Sequence, residues 1–105
     1  MVMLLGNLIP TPDTVQHEHY LGDGPDGPQW AAPVALACRI EHGQKHVQLA
    51  DSRVVVLTAT VFLLGDVDVS TQDRLTWAGK THTVEQLDTM TWLDGRPMHH
   101  EAGVV

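Results

Sequence analysis

The chain has 105 residues, a formal net charge of −7 with its seven histidines neutral, and a single cysteine. This length suits one domain, so we expect residues 1–105 to form a single unit. The acidic excess argues against a protein that grips nucleic acid through a basic surface, and a lone cysteine gives no sign of a secreted disulfide scaffold. Nine glycines and six prolines, without a long amphipathic run at helical spacing, favour an all-β domain with many turns.

Residues 1–13 predict an apolar N-terminal arm without the periodicity of a helix or a strand. The run has no basic residues before it and is interrupted by glycine, asparagine and proline, so it predicts neither a signal peptide nor a membrane span. We expect its large apolar side chains to dock on this domain or on a neighbouring molecule. The candidate interface residues in the arm are Leu4, Leu5, Leu8 and Ile9.

Residues 14–20 predict a short strand, and residues 21–33 predict a long loop. Three glycines, three prolines and two aspartates among the thirteen loop residues argue against regular structure there. Long loops of this kind in compact domains are often functional. Asp23, Asp26 and Trp30 are therefore candidate functional residues, although Trp30 could equally serve to plug the loop onto the domain.

Residues 34–42 and 45–50 predict two strands joined by a turn, and residues 53–64 predict the long strand around which the domain is built. Branched side chains dominate this long strand and suit a pleated sheet better than a helix. Its uniformly apolar face predicts the core, whereas its other face mixes valine, threonine and phenylalanine and predicts a partner surface with Val56 and Phe62 as interface residues. The core face comprises Val55, Leu57, Ala59, Val61 and Leu63.

Three further strands are predicted at residues 74–78, 80–87 and 97–105, the first two joined tightly at Ala78 and Gly79. The intervening residues 65–73 contain three aspartates and a glycine and predict a turn-rich crossing. With six or seven strands, no internal repeat and no helix of consequence, the sequence predicts a small closed or nearly closed β-barrel.

The sequence offers little chemistry of the catalytic kind. His17 and His19 lie two apart on a strand and so share a face, which makes them a weak candidate pair of metal ligands; ordinary strand histidines are the more economical interpretation. Ser52 and Ser70 lie in predicted turns that lack the strand-to-helix elbow of a catalytic serine, and no glycine-rich phosphate loop is present. We therefore expect a binding or assembly module without a cofactor, and not an enzyme.

Five segments spread over nearly the whole chain carry a family resemblance. They are LLGNLIPTPDTV at 4–15, YLGDGPDGPQW at 20–30, PVALACRIE at 33–41, VVVLTATVFL at 54–63, and the pattern D-V-x-x-x-D-R-L…G-K-x-H-x-V at 68–84. In these segments the chain resembles the head-closure, or stopper, proteins of long-tailed bacteriophages, particularly those of phages of actinobacteria. These proteins are small head-to-tail connectors.

The resemblance implies a β-barrel protein of the virion neck, assembled in the host cytoplasm. It implies a ring beneath the portal and its adaptor that closes the DNA channel after packaging and docks the tail. The implied partners are portal or adaptor proteins, tail terminator or other tail proteins, and further copies of the chain. DNA would pass without sequence-specific binding, and Asp23, Asp26 and Trp30 would belong to a channel or inter-subunit loop.

Two other interpretations remain open. One is a stand-alone SH3-like barrel that binds a peptide or a small ligand in a groove lined by Tyr20, Trp77 and Trp92. The other is a histidine-based metal module or metalloenzyme, which would retain zinc or nickel through dialysis.

Overall fold

The computed structural model describes residues 12–65, 67–91 and 97–105; for Met90, Pro97 and Met98 it describes the backbone alone. The described residues contain eight β-strands and no helix. Within these ranges, no helical segment has the length and hydropathy needed to traverse a bilayer. The strands in chain order are β1 (Asp13–Glu18), β2 (Tyr20–Gly24), β3 (Gly27–Trp30), β4 (Val34–Gln48), β5 (Val54–Leu64), β6 (Arg74–Trp77), β7 (Lys80–Thr91) and β8 (Pro97–Val104).

Six of the strands close into an antiparallel barrel in the order β1-β4-β5-β8-β7-β6, and pairing of β6 with β1 completes the circle. The strands β2 and β3 form a separate two-stranded sheet. The all-β barrel predicted from the sequence is confirmed. Closure removes the sheet edges that an open arrangement of these strands would leave unpaired.

The barrel core is built around β5, as its alternating pattern predicts. Leu57, Ala59, Val61 and Leu63 are buried, because successive residues of a strand point to opposite faces and these four share the inner one. Cys38 is also buried, and burial together with the charge of Asp13 raises the pKa of its thiol to about 11. The other buried apolar residues are Val15, Val69, Leu75, Val84, Ala102 and Val104.

The two strands predicted at residues 34–42 and 45–50 are in fact one strand, β4. The predicted turn around Gly43 is wrong: His42 pairs with Ala59 and Lys45 with Leu57, so a bulge absorbs the extra residues and the chain continues along the same partner. Val34 is the first residue of the strand and is 57% exposed.

The segment at residues 21–33 does contain regular structure, contrary to the sequence prediction. Its strands β2 and β3 form a hairpin in which Gly24 pairs with Gly27 across Pro25 and Asp26. Proline and aspartate favour the two central positions of such a turn, and Gly27 adopts a positive φ of 108° that other residues rarely adopt. Here the glycines and prolines shape a two-stranded hairpin, where proline is tolerated at an edge.

Residues 43–56 extend the β4–β5 hairpin beyond the rest of the barrel, and we call this part the ribbon. Within the described residues, β1 pairs with β4 only as far as Cys38, and β8 pairs with β5 only from Ala59 onward. The two ribbon strands pair with each other, as Gln48 does with Val54. The ribbon thus carries backbone edges that no described strand covers.

The turn between β6 and β7 provides a test of the backbone geometry. Ala78 and Gly79 have φ values of 50° and 76°, as in the tight hairpin turn predicted for them. Gly79→Ala should lower the free energy of unfolding by roughly 1–2 kcal/mol, because a Cβ is disfavoured in the left-handed region. The measurement is urea unfolding followed by circular dichroism.

Gly43→Ala is the matched control. A Cβ added at Gly43 or at Gly79 would meet no atom within 4 Å, but Gly43 lies outside the left-handed region. Gly43→Ala should therefore leave stability unchanged or raise it by up to about 1 kcal/mol. Equal losses in the two variants would contradict this explanation.

Candidate functional site

A buried carboxylate, Asp73, lies where β1 and β6 close the barrel. Its Oδ2 is 2.7 Å from Nε2 of His17 and 3.2 Å from Nδ1 of His19. The backbone N–H of Ser70 donates to the same oxygen at 3.0 Å. The Oδ1 atom accepts from the backbone N–H of Tyr20 at 2.8 Å and from the Ser70 hydroxyl at 3.1 Å. Both oxygens of this fully buried carboxylate are therefore engaged.

Local sequence explains how these groups meet. His17 lies in β1 and His19 is the first residue after this strand. Their rings lie on the same side of the chain, as predicted, and both reach Oδ2 of Asp73. Ser70 and Asp73 belong to a turn in which the N–H of Asp73 donates to the carbonyl of Ser70 at 3.2 Å. The next residue, Arg74, begins β6 and pairs with Glu18 of β1. The turn thus places the Asp73 carboxylate in contact with both histidine rings.

The electrostatic state of Asp73 reflects two opposing effects. Burial raises the pKa of its carboxyl, but hydrogen bonds from Tyr20, His17, Ser70 and His19 stabilise the charged form and lower it. The lowering effects prevail, and the pKa of Asp73 lies below that of an ordinary aspartate. The carboxylate is thus ionised at neutral pH and holds three separate parts of the chain together.

The candidate residues of the β2–β3 hairpin occupy different positions. Trp30 anchors the hairpin: its indole N–H donates to the carbonyl of Gln72 at 2.9 Å, and the Arg74 guanidinium lies 3.2 Å above its ring. Asp23 is exposed and accepts from the hydroxyl of Tyr20 at 2.7 Å. Asp26 is exposed at the hairpin turn. Trp30 does plug this segment onto the barrel, whereas the two aspartates face solvent.

A groove of about 720 Å³ lies between the β2–β3 hairpin and the tip of the ribbon. Tyr20, Asp23 and Trp30 line it on the hairpin side, and β7 residues including Glu85 also contribute. On the ribbon side Arg53 Nε is 2.7 Å from Asp51 Oδ2, and an Arg53 guanidinium nitrogen is 3.8 Å from Glu85 Oε2. The one cation among these charged groups is already paired, so the groove has an acidic character.

The aromatic groove considered for a peptide-binding barrel is not formed by its described members. Tyr20 lines the groove just described, whereas Trp77 lines a second cavity of about 320 Å³. In that cavity Trp77 stacks on His82, with ring centroids 3.8 Å apart. Trp92 lies outside the described residues.

The candidate interface residues are only partly described. Val56 is 40% exposed on the ribbon. Phe62 is half-buried, with its ring centroid 6.4 Å from that of His99. The four candidates in the N-terminal arm, Leu4, Leu5, Leu8 and Ile9, lie outside the described residues. The role of all six as interface residues stays a prediction.

Asp73 is the site residue that sequence reasoning missed. It stands among other aspartates in a turn-rich stretch, where the ordinary interpretation is local backbone hydrogen bonding. Its local bonds to Ser70 fit that interpretation, but its other partners lie 53 to 56 residues earlier in the chain. No local pattern signals such a contact.

Asp73→Asn should lower the free energy of unfolding by on the order of 2–4 kcal/mol, since the carboxamide presents an NH₂ to donors and removes the charge that they stabilise. Asp68→Asn is the control, because the Asp68 side chain is 93% exposed, and it should change stability by less than about 0.5 kcal/mol. Chemical unfolding of both variants at neutral pH tests this. Similar losses would mean that Asp73 does not organise the fold.

The lowered pKa of Asp73 also predicts a pH dependence. The unfolded chain protonates this carboxyl at an ordinary aspartate pKa, whereas the folded chain does so only at lower pH. The charged carboxylate therefore stabilises the fold above the pKa of the unfolded chain, and this stabilisation is lost as the pH falls through the pKa of the folded chain. Unfolding free energies measured from roughly pH 5 to pH 2 should fall more steeply for the natural chain than for Asp73→Asn. Parallel curves would show that Asp73 is not the group responsible.

A scan of the chain against protein-family models finds no match, and neither does a search of curated proteins. The function of the site therefore has to follow from its own geometry and charge.

Proposed function

We propose that this protein is a structural subunit of the neck of a long-tailed bacteriophage. Copies of it would form a ring beneath the portal and its adaptor, close the DNA channel after packaging and dock the tail. The observation that carries the assembly role is the exposed, valine-rich ribbon. The phage context comes from the sequence segments that resemble head-closure proteins.

The ribbon has the features of a surface that is covered in an assembly. Val54 is 66% exposed and Val56 is 40% exposed on adjacent outward positions of β5. A two-stranded hairpin by itself is marginally stable in water, and unpaired strand edges readily accept another strand. Contact with neighbouring subunits would bury these valines and satisfy the free edges.

The charge of the protein supports passage of DNA without adhesion. The net charge is −7, and Asp23 and Asp26 are exposed on the β2–β3 hairpin. Like charges repel phosphate at short range, and the effect is strongest in a confined channel. A hairpin pinned at its base by Trp30, with an acidic tip, is therefore a suitable channel-facing element in a ring.

The state of the buried site favours a structural role over a catalytic one. Both oxygens of Asp73 accept hydrogen bonds from within the fold, and these bonds join the segments that close the barrel. A general base needs a lone pair that can reach a substrate proton.

The groove between hairpin and ribbon favours a second candidate, a module that binds a peptide. Its volume of about 720 Å³ is within the usual range for ligand sites, and its acidic character would suit a basic segment. This candidate predicts a protein that remains monomeric and binds such a peptide in a one-to-one complex.

Cryo-EM of phage particles that carry this protein tests the leading proposal. The expected result is a ring of copies between portal and tail, with β5 valines of the ribbon at subunit contacts. Particles without such a ring, together with a monomer that binds a basic peptide in the groove, would replace the connector with the peptide-binding module.

Val56→Asp should block ring assembly without unfolding the subunit. A charge at this exposed position leaves the barrel core intact but is costly to bury at an interface. Thr14→Asp is the matched control, because Thr14 is also a β-branched, exposed strand residue but lies on β1. Assembly is measured by negative-stain microscopy of particles complemented with each variant.

We expect roughly a tenfold or larger drop in tailed particles for Val56→Asp and none for Thr14→Asp. The Val56→Asp and Thr14→Asp variants should have the same thermal unfolding midpoint. Normal particle yield with Val56→Asp would remove the ribbon from the assembly surface.

A further inference from the structure

We propose that His17, His19 and Asp73 form a binding site for a divalent transition-metal ion, for which zinc is the best match. This inference rests on the geometry of the buried cluster and does not depend on the proposed function.

The ligand atoms are already gathered. One nitrogen of each histidine and one Asp73 oxygen all lie within 4.8 Å of one another. The two rings converge on the same oxygen, at 2.7 Å for His17 and 3.2 Å for His19. In a tetrahedral zinc site with bonds of about 2.0–2.2 Å, ligand atoms are about 3.4 Å apart. Small movements of the side chains would therefore admit an ion between them.

The carboxylate is held in place by groups that the ion would not displace. The backbone N–H groups of Tyr20 and Ser70 and the Ser70 hydroxyl all donate to Asp73. If the ion replaced the two histidine contacts, these three donors would still orient the carboxylate. Such outer hydrogen bonds orient the ligands of metal sites and tune their affinity.

The positions of the histidine ring protons are also compatible with metal binding. A histidine ligand uses a nitrogen lone pair, so when the ion binds, each ring would have to move the proton with which it donates to Asp73 in the metal-free protein to its other nitrogen. For His19 that nitrogen is Nε2, which lies 3.9 Å from Oδ2 of Asp68. The exposed Asp68 carboxylate can thus take the role of an outer partner to the ring once Nδ1 binds the ion.

The donor set decides the kind of ion. Two imidazole nitrogens and one carboxylate oxygen suit zinc and its neighbours, whereas magnesium and calcium require mostly oxygen ligands. His19 is partly exposed while Asp73 is buried, so the side of the site nearest His19 opens to solvent. A water molecule or a group from a neighbouring molecule would complete the coordination there.

Titration of the purified metal-free protein with Co²⁺ tests the proposal, because tetrahedral cobalt absorbs strongly in the visible range. We expect saturation at one ion per chain, competition by Zn²⁺, and a higher unfolding midpoint with Zn²⁺ bound. Mg²⁺ at the same concentration should produce no shift in the midpoint.

Two variants locate the ion. Loss of an outer hydrogen-bonding partner typically costs about 10–100-fold in metal affinity, so His19→Gln, which removes a direct ligand, should cost at least as much. His46→Gln is the control, since His46 is exposed on the ribbon and distant in sequence from the cluster; it should bind cobalt as the natural chain does. Circular dichroism establishes that both variants are folded.

Nitrogen-15 spectra of the histidine rings keep the test decisive if His19→Gln is unstable. In the natural chain, Zn²⁺ should shift the ring signals of His17 and His19 before those of the other histidines. No stoichiometric binding, undiminished binding by folded His19→Gln, or first shifts at other histidines would each overturn the proposal.

Discussion

The barrel depends on one buried charge, the Asp73 carboxylate. It accepts hydrogen bonds from the end of β1, from the first residue of the β2–β3 hairpin and from the turn that precedes β6. A buried carboxylate is tolerated only when its lone pairs are occupied. The closing strands β1 and β6 are short, so this node supplies directional bonds at the seam where strand pairing alone is least extensive.

The remainder of the described molecule consists of the buried barrel core and two exposed hairpins. Leu57, Val61 and Leu63 seal the barrel, while the ribbon and the β2–β3 hairpin extend into solvent at the margins of a single groove. The hairpin is fixed by Trp30 and Arg74. Among the described residues, the hydrogen bonds and ion pairs of the ribbon are those between its own strands and those of Arg53 near its tip. The barrel thus sets the position of both projections.

The sequence predicts the barrel well because the core residues are marked by local patterns along the chain. Alternation along residues 53–64 predicted the inner face of β5, and Ala78 with Gly79 predicted a tight turn. It failed where one local signal serves two structures: Gly43 suggested a turn but occupies a bulge, and the glycines and prolines at 21–33 suggested an irregular loop but form a hairpin. For the site, residue spacing placed His17 and His19 on one face. It could not supply Asp73, because the partners of a buried carboxylate are set by tertiary closure.

The order of strands in the barrel has a kinetic consequence. The tip of the β4–β5 hairpin pairs residues only six apart, Gln48 with Val54, whereas closure joins His17 to Asp73 across 56 residues. Loop closure costs more entropy as the loop lengthens, and distant pairings form late. We therefore expect a newly made chain to form its hairpins before the barrel closes around Asp73. During that interval the edges of β1 and β6 are available to other chains, so the rate of closure limits the time in which misassembly competes with folding.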